Sequence, residues 1–508
     1  MIRRLLRCGY RTGGLLLTLL VAAAACSPYP PPPESRIDPV TDVIHGVEFI
    51  DDYRWLEEQD APETRAWIAA QNEYAETIVG ESPLRDRIRE RIRELIDIPN
   101  VGDTRHAGDY EYFTMRRAGE EAPVIYRRAA PEDEDAEEPS LDEEYEVVLD
   151  PVDFDPAYRT LLSIVDFTPD GDIMMYSVRL GGSDELEIRF RDVETGEDLP
   201  DRLPRALYGG LDFDDDGTGF YYTHRDRHVG PRIRHHVLGT DASEDTTLWG
   251  EEYGPTAFIG MNRVADDRYR IFSAQHGWAR SDYFIQDHRE GGEIRPMVSD
   301  VPAHFNVRFR EDRLYIRTDW QAPMYRLMVA DPANPELEHW TELIPESEHL
   351  FEGYGFIDEK IYATYLENVS NRIRVFEMDG TPAGEIAVAD HLSASIRGDG
   401  EDGEDGEAVL SLRGHLLPTT EYELDLESGD REILEPSEIP FDPSGMVVEQ
   451  LWYTSADGTR APMYVVHQEG IELDGSHPTL LNGYGGFNVA IKPSFSTTAA
   501  VWVEMGGV

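Results

Sequence analysis

The chain has 508 residues, with 46 Lys+Arg against 101 Asp+Glu, so its formal net charge is −55. This acidity argues against a nucleic-acid-binding protein, because such proteins need a basic surface to neutralise phosphates. Hydrophobic residues make up 40% of the chain, enough for a large core, and this excludes a wholly disordered protein. Only Lys360 and Lys492 are lysines. That composition fits either adaptation to high salt, which screens charge repulsion, or a GC-rich genome that encodes an acidic surface.

Residues 1–25 are predicted to be a signal peptide. Four arginines stand among residues 1–14, and the apolar stretch LLLTLLVAAAA (15–25), too short to span a membrane, follows them. Cys26 comes next, as in a bacterial lipoprotein signal, although Ala23 stands where leucine is usual. We expect lipidation of Cys26 and an exported protein, periplasmic or held at the membrane only by this anchor. The alternative is an ordinary secretory signal with an incidental cysteine.

Removal of the signal changes both charge and cysteine content. The signal carries four arginines and no acid, so the mature charge is about −55 − 4 = −59. The only other cysteine, Cys8, lies within the signal. The mature chain is therefore predicted to have no disulfide and no cysteine metal site.

The next two segments are a tether and a helical region. Residues 26–37 contain SPYPPPPES (27–35), which predicts a stiff, extended tether. Residues 38–102 are predicted to be helical, with a second amphipathic stretch at 84–96. The apolar residues at helical spacing in the first stretch are Trp67, Ile68, Tyr74 and Ile78.

Residues 103–440 carry a repeat of short alternating strands separated by Gly, Asp and Pro turns. The repeating units begin near Asp109, Asp172, Gly217, Arg268, Arg313, Lys360 and Ala408. After the first unit they follow each other at about 45 to 51 residues, close to the length of a propeller blade. Most units contain a second strand that ends in a tight glycine turn. Seven such units predict a seven-bladed β-propeller.

The first interval is longer because an acidic insertion, PEDEDAEEPSLDEEYE (131–146), separates two strands of the first unit. A run of carboxylates could bind calcium or a cationic peptide. A solvated loop is the interpretation we favour.

After the repeat the pattern changes again. Residues 447–468 predict two strands joined at an Asp457-Gly458 turn. HPTLLNGYGGFN (477–488) predicts an apolar strand that runs into a glycine-rich loop.

Three stretches resemble the prolyl oligopeptidase family of serine peptidases. They are DDYRWLEEQDAPETRAWIAAQN (51–72), DGTRAPMY (457–464) and LLNGYGGFNVAIKPSF (480–495). The resemblance implies that residues 38–102 pack on an α/β-hydrolase domain, that the propeller (103–440) is inserted there, and that residues 441–508 are the first hydrolase strands. The expected fold is thus mixed: a seven-bladed β-propeller inserted into an incomplete α/β-hydrolase domain.

The catalytic triad of that family is not found. An α/β-hydrolase needs a G-x-S-x-G nucleophile elbow, then Asp and His in chain order. The sequence contains no such motif, and its nearest look-alike, GGSDE (181–185), lacks the closing glycine. In the family the elbow follows the GYGGFN loop, so we expect the chain to be C-terminally truncated, with the nucleophile, acid and base beyond Val508. As given, it is expected to be inactive.

Two site residues follow from the resemblance. Tyr484 would donate its phenolic hydroxyl to the oxyanion, and Phe487 would line the pocket that holds the proline ring. The alternatives are a structural glycine turn and a core phenylalanine. In the related oligopeptidase B branch, which cleaves after basic residues, the GYGGFN wording is usually absent.

The function implied is a serine-type endopeptidase that cleaves short proline-containing peptides after proline. It would need no cofactor and is expected to be a monomer. Two alternatives stay open: an oligopeptidase B-like enzyme, and a non-enzymatic propeller lipoprotein that binds peptides.

Three other patterns are interpreted as structural, and no metal site is predicted. Asp212–Gly217 matches the start of an EF-hand loop, but its twelfth position is Thr223 rather than glutamate, so it predicts a turn between blades. The sequon at Asn368 is one in form only, given the bacterial-type signal. A group of histidines fits no structural zinc spacing and has no evident partner carboxylate. These are His224, His228, His235 and His236.

Overall fold

The computed structural model describes residues 30–80, 82–102, 104–131, 139–398, 407–435 and 439–508. The predicted signal peptide and Cys26 lie outside these residues. The chain divides into two compact units, residues 1–91 and 92–508. Among the described residues, no helix is both long and apolar enough to cross a membrane.

The first unit contains a β-hairpin where the sequence predicts helix. Strand β1 (Val40–Ile44) pairs antiparallel with β2 (Val47–Asp51). His45 and Gly46 between them have φ of 52° and 81°, the left-handed values that a two-residue hairpin turn requires. Both strands are rich in Val and Ile, which favour extended backbone over helix. The helical prediction is therefore wrong for residues 40–51.

Two helices follow where the sequence predicts them. A short 3-10 helix (Arg54–Glu57) precedes α1 (Pro62–Val79). Helix α1 begins with a proline, and the N–H that proline lacks would have no partner within the helix at that position. It stops at Gly80, whose N–H donates to the carbonyl of Glu76. Helix α2 (Pro83–Ile96) comes next.

The described part of the predicted tether lies along α1. The hydroxyl of Tyr74 donates to the carbonyl of Pro30 at 2.8 Å, and the indole N–H of Trp67 donates to the hydroxyl of Ser35 at 2.9 Å. Residues 30–35 are thus bound to a helix rather than extended freely into solvent.

The second unit consists mainly of antiparallel sheets formed by consecutive strands. The first sheet contains β3 (Asn100–Val101), β4 (Arg105–Ala107), β5 (Tyr110–Arg116), β6 (Val124–Ala129) and β7 (Glu146–Leu149), and α3 (Pro151–Phe154) follows it. The second contains β8 (Thr160–Phe167), β9 (Ile173–Leu180), β10 (Leu186–Asp192), β11 (Asp198–Phe213), β12 (Gly219–Asp226), β13 (Gly230–Val237) and β14 (Thr246–Trp249). A 3-10 helix (Ala242–Glu244) precedes β14.

Four four-stranded sheets complete the repeat. They are β15 (Ala257–Val264), β16 (Tyr269–His276), β17 (Arg280–Asp287) and β18 (Arg295–Val298); β19 (Phe305–Arg310), β20 (Arg313–Thr318), β21 (Arg326–Ala330) and β22 (Thr341–Ile344); β23 (Leu350–Ile357), β24 (Lys360–Glu367), β25 (Ser370–Glu377) and β26 (Pro382–Ile386); and β27 (Leu392–Gly398), β28 (Ala408–Gly414), β29 (Leu417–Leu424) and β30 (Arg431–Glu435). A 3-10 helix (Leu337–His339) precedes β22. The predicted β-propeller is confirmed.

Strand β11 is longer than its neighbours, with 16 residues. Its first half pairs with β10, where Leu203 faces Ile188. Its second half pairs with β12, where Phe213 faces Phe220, after a register shift between Gly209 and Asp212. This one strand therefore joins two four-stranded groups into a single seven-stranded sheet.

The hydrophobic core lies between neighbouring sheets. Ile271 and Ile285 on β16 and β17 pack with Ile316 on β20 in one cluster, and each is at most 3% exposed. The middle strands are buried on both faces, which explains their nearly continuous apolar sequence. The propeller is thus held together by sheet-to-sheet packing.

After the repeat, β31 (Met446–Thr454) and β32 (Arg460–Gln468) form the predicted hairpin, with Gly458 in its turn at φ 91°. A 3-10 helix (Gly486–Asn488) and α4 (Thr497–Glu504) follow. The strand predicted at the start of residues 477–488 does not form. Instead Leu480 donates to the carbonyl of Val508, and Val508 donates to the carbonyl of Pro478.

The β31–β32 hairpin packs on the last two sheets of the repeat. The Tyr464 hydroxyl lies 3.2 Å from the Ser370 hydroxyl, and its ring centroid lies 5.6 Å and 5.1 Å from those of His391 and His415. Nδ1 of His391 and Nε2 of His415 are buried and have no hydrogen-bond partner among the described residues. Burial, with a smaller effect of His391, lowers the pKa of His415.

We expect acid to weaken this packing. Because the pKa of His415 is lower in the folded protein than the usual value of about 6.5, His415 takes up a proton more readily once the hairpin is released from it. The stability from neutral His415 is present above about pH 6.5 and is lost as the pH falls through the folded-state pKa. The measurement is the protection factor for hydrogen exchange of residues 446–468, which corrects for the pH dependence of intrinsic exchange, at pH 7.5 and at pH 5. In H415Q the acid-induced loss of protection should shrink; an unchanged loss would contradict the prediction.

Two glycine turns in consecutive sheets test the sheet-to-sheet packing. Gly380 and Gly429 stand between the third and fourth strands at φ of 83° and 77°. A Cβ at Gly380 would lie 2.1 Å from the carbonyl oxygen of Leu343 in the preceding sheet, whereas no atom of the described residues lies within 4 Å of a Cβ at Gly429. We expect G429A to cost about 1 kcal/mol for its backbone conformation. G380A should cost at least about 2 kcal/mol more, because backbone must move.

Chemical denaturation of both variants measures this difference. Equal losses of unfolding free energy in G380A and G429A would show that the two sheets are not in close contact at this turn.

Candidate active site

The candidate site is the GYGGF loop (residues 483–487). Gly485 has φ 98° and ψ −2°, a left-handed conformation that glycine adopts without steric cost. Phe487 has φ 57° and ψ 27°, which is uncommon for a residue with a Cβ and costs about 1–3 kcal/mol. The loop therefore holds one aromatic residue in a strained backbone position.

The side chain of Tyr484 folds back over the loop. A Cβ on Gly486 would lie 3.1 Å from Cζ and 3.2 Å from the hydroxyl of Tyr484, so a glycine leaves room for the phenol. Tyr484 is 59% exposed. Within the described part of the chain its hydroxyl forms no hydrogen bond, so it can donate to an incoming group.

Three exposed aromatic side chains meet at the loop; we call Trp278, Tyr484 and Phe487 the aromatic cluster. The rings of Trp278 and Phe487 lie 4.8 Å apart at 36°, and those of Tyr484 and Phe487 lie 6.5 Å apart at 47°. Trp278 is 65% exposed and Phe487 57% exposed. The cluster offers apolar ring faces beside one phenolic donor, a combination that suits a compact apolar ligand with a carbonyl group.

Trp278 was not predicted from the sequence. It stands in the turn between β16 and β17, after Gly277 at φ 62°. A tryptophan in a glycine-containing turn is only a weak signal of a binding site. Exposed apolar patches mark such sites, but single exposed apolar residues are common on protein surfaces. Its contact with Phe487 depends on the fold and leaves no trace in local sequence.

Three of the four aspartates in the EF-hand-like run lie within ion-pair distance of an Arg or His side chain. Asp212 and Asp215 each lie 2.7 Å from the guanidinium of Arg263, and Asp214 lies 2.7 Å from His235. The run forms the turn between β11 and β12 of one sheet, so its predicted place between blades is wrong. Asp212 and Asp215 are thus already paired with one protein cation, Arg263.

The interpretation that the histidines lack carboxylate partners is also wrong. Besides His235, the buried ring of His236 lies 2.7 Å from Asp245 and 3.4 Å from Asp201. Burial lowers the pKa of His224. Over the described ranges, no group of three or more His, Cys, Asp or Glu side chains is arranged to hold a metal ion.

The remaining predicted features lie elsewhere. The acidic insertion stands between β6 and β7, and its residues 132–138 fall outside the described part of the chain. GGSDE (181–185) begins the turn between β9 and β10. Asn368, at φ 49° between β24 and β25, accepts a hydrogen bond at its carbonyl from Gln450.

Comparison with known proteins places the chain. Residues 32–437 match the family profile described as "Prolyl oligopeptidase, N-terminal beta-propeller domain". The prolyl endopeptidase of Elizabethkingia meningoseptica is 29% identical over 484 residues, which cover 92% of this chain and 66% of that protein. The dipeptidyl aminopeptidase BI of Pseudoxanthomonas mexicana is 26% identical over 486 residues, covering 91% and 66%.

A solved structure from a study of two prolyl endopeptidases, titled for the role of inter-domain dynamics in catalysis and specificity, matches with a TM-score of 0.80 at 28% identity. It covers 94% of this chain and 70% of that one. The chain thus spans 66% of the length of these curated relatives, just under two thirds. Since the profile matches well over half of its residues, the chain belongs to the prolyl oligopeptidase family.

Proposed function

We propose that this chain is the propeller-bearing part of a serine-type endopeptidase that cleaves short peptides after proline. The observation that carries the proposal is the GYGGF loop, where a phenol with no hydrogen bond to the described residues stands beside exposed aromatic rings. The resemblance to a prolyl endopeptidase over 92% of the chain supports it. The Ser, Asp and His of the triad would be encoded after Val508, since no G-x-S-x-G motif occurs in these residues.

In this proposal Tyr484 stabilises the oxyanion. When a serine attacks a peptide carbonyl, negative charge develops on the carbonyl oxygen, and a donor fixed in advance lowers the barrier. The Tyr484 hydroxyl suits this role because it gives up no protein hydrogen bond within the described residues when it turns to the substrate. A backbone N–H beside the serine would be the second donor.

Phe487 and Trp278 would form the wall of the proline pocket. Proline is compact and apolar and lacks an N–H, so ring faces suit it better than hydrogen-bonding groups. The strained backbone of Phe487 is consistent with a functional position, because such strain persists where the surroundings hold it in place.

The proposed architecture is a seven-bladed propeller inserted in an α/β-hydrolase domain. Dividing the seven-stranded sheet at β11 yields two blades, which with the other five sheets make seven, in agreement with the seven sequence units. Residues 38–102 and 441–508 would belong to the hydrolase domain, and the propeller (103–440) would admit only short peptides. A monomer is proposed.

The location proposed is outside the cytoplasm. The arginine-rich start, the short apolar stretch and Cys26 support an exported lipoprotein, periplasmic and anchored to the membrane through lipid on Cys26. Treatment of cells with an inhibitor of lipoprotein signal processing, followed by mass spectrometry of the N-terminus, tests this.

A related peptidase with another specificity is the second candidate. The resemblance to a dipeptidyl aminopeptidase shows that similar chains carry different activities. An oligopeptidase B-like enzyme would need acidic groups to hold a basic side chain, whereas the aromatic cluster offers ring faces. A non-enzymatic peptide-binding propeller would require that the reading frame stop at residue 508.

The first prediction from the proposed function concerns the nucleophile. The coding DNA should continue in frame after codon 508 and encode a G-x-S-x-G serine. The 508-residue chain should not react with diisopropyl fluorophosphate, because it lacks an activated serine. The polypeptide encoded by the extended reading frame, which we call the longer product, should be labelled. Labelling of the 508-residue chain, or a stop codon in intact DNA, would contradict the proposal.

The second prediction concerns Tyr484 in the longer product. Y484F should lower kcat on a post-proline substrate by about 100-fold, since one oxyanion donor is removed. The effect on KM should be small. Y453F is a matched control, because Tyr453 is 51% exposed on β31, outside the GYGGF loop. An unchanged kcat in Y484F would exclude the oxyanion role.

The third prediction concerns the proline wall. F487A should raise KM for post-proline substrates by about tenfold, the effect of losing one apolar pocket contact. Cleavage assays on paired post-proline and post-arginine peptides measure it. Cleavage after arginine alone by the unmodified enzyme would refute the pocket role of Phe487.

A further inference from the structure

Shortly after the GYGGF loop (483–487), the chain is bound to the propeller at two adjacent residues, Lys492 and Pro493. The ammonium of Lys492 lies 3.1 Å and 3.2 Å from the two carboxylate oxygens of Glu352. The carbonyl of the next residue, Pro493, accepts a 2.7 Å hydrogen bond from the hydroxyl of Ser393. Neither contact is suggested by the local sequence.

Buried polar groups hold the propeller side of this contact in place. Asn371 is 1% exposed, donates to Glu352 at 2.7 Å and accepts from the N–H of Ala394 at 3.1 Å. Ser393 is 2% exposed. A partly buried carboxylate needs a cationic or hydrogen-bonding partner, so Glu352 presents a charge that Lys492 satisfies.

The contacts come from three different sheets. Glu352 and Asn371 lie on β23 and β25 of one sheet, and Ser393 lies on β27 of the next. Trp278, which touches Phe487, lies in the β16–β17 turn of a third. The segment from Phe487 to Pro493 is therefore bound at both of its ends.

This segment has little regular backbone structure of its own. After the 3-10 helix it has no helix or strand until α4, and its local backbone hydrogen bond runs from Val489 to Gly486. A misplacement of about 1 Å in a catalytic group can cost about 100-fold in rate. A loop that carries a donor and a pocket wall therefore needs fixed ends.

We propose that Glu352, Asn371 and Ser393 form an anchor on the propeller that positions the GYGGF loop through Lys492 and Pro493. Glu352 and Lys492 are thus positioning residues that act through Tyr484 and Phe487. The catalytic meaning of this anchor rests on the proposed function. The anchoring itself does not, because it can be measured without substrate.

Hydrogen exchange of residues 482–496 in the 508-residue chain tests the anchor. K492M and E352Q remove the charge pair while keeping much of the side-chain volume, and each should speed exchange of this segment by about tenfold. K492R restores the charge and should stay within about twofold of the unmodified chain. Exchange in β23 and β25 should not change, which separates positioning from general loss of fold.

The matched control is E342Q. Glu342 pairs with Arg326 at 2.9 Å on β22 and β21, in a sheet that does not supply these contacts. It should leave exchange of residues 482–496 unaltered. Unchanged exchange in K492M and E352Q, or equal acceleration in K492R and K492M, would overturn the anchor. Inactivity of the longer product would overturn the proposed function and leave the anchor standing.

Discussion

The packing of each sheet against the next is the constraint on which the rest of the molecule depends. It buries the middle strands on both faces and stacks the sheets in sequence order. Turns between second and third strands then emerge together and meet the C-terminal residues. Trp278 contacts Phe487, Asn368 accepts from Gln450, and the ring of His415 packs on Tyr464; each of the three propeller residues stands in such a turn.

The same packing explains how much of the fold the sequence reveals. Every predicted unit start falls at or next to the second strand of a four-stranded group, because these strands are almost continuously apolar. The first and fourth strands of each group, such as β19 and β22, are less regularly buried, and the sequence pattern does not identify them as strands. The hairpin at 40–51 is not predicted, because the helical pattern of the residues that follow it is assigned to the whole of 38–102, including its two-residue turn. The start of residues 477–488 predicts a strand, but a strand needs a neighbouring strand. Within the described residues, the backbone of Pro478 and Leu480 bonds to Val508 instead.

The candidate site divides in a similar way. Tyr484 and Phe487 were predicted because a local motif carries them. Trp278 and Glu352 could not be predicted, because their contacts join residues far apart in sequence. Those contacts depend on which turns and strand ends the packing of the sheets brings together. The carboxylate partners of the histidines are likewise not predictable from the sequence. His236 contacts Asp201 on another strand, so the spacing of residues along the chain does not reveal the pair. A local motif thus identifies the two loop residues, whereas the contacts that the fold makes to them cannot be predicted from the sequence.

The large negative charge has little to do with the site itself. Many of the arginines lie at the seams between sheets, where Arg263 binds Asp212 and Asp215, and Arg317 donates to the carbonyl of Phe351. Basic groups used in this way are withdrawn from the surface, so the excess of carboxylates faces solvent. The aromatic cluster carries no formal charge, and the nearby ion pair, Lys492 with Glu352, is internally neutral. In the proposed function this site would select its ligand by shape and ring contact, so its chemistry would be insensitive to the acidity that dominates the composition.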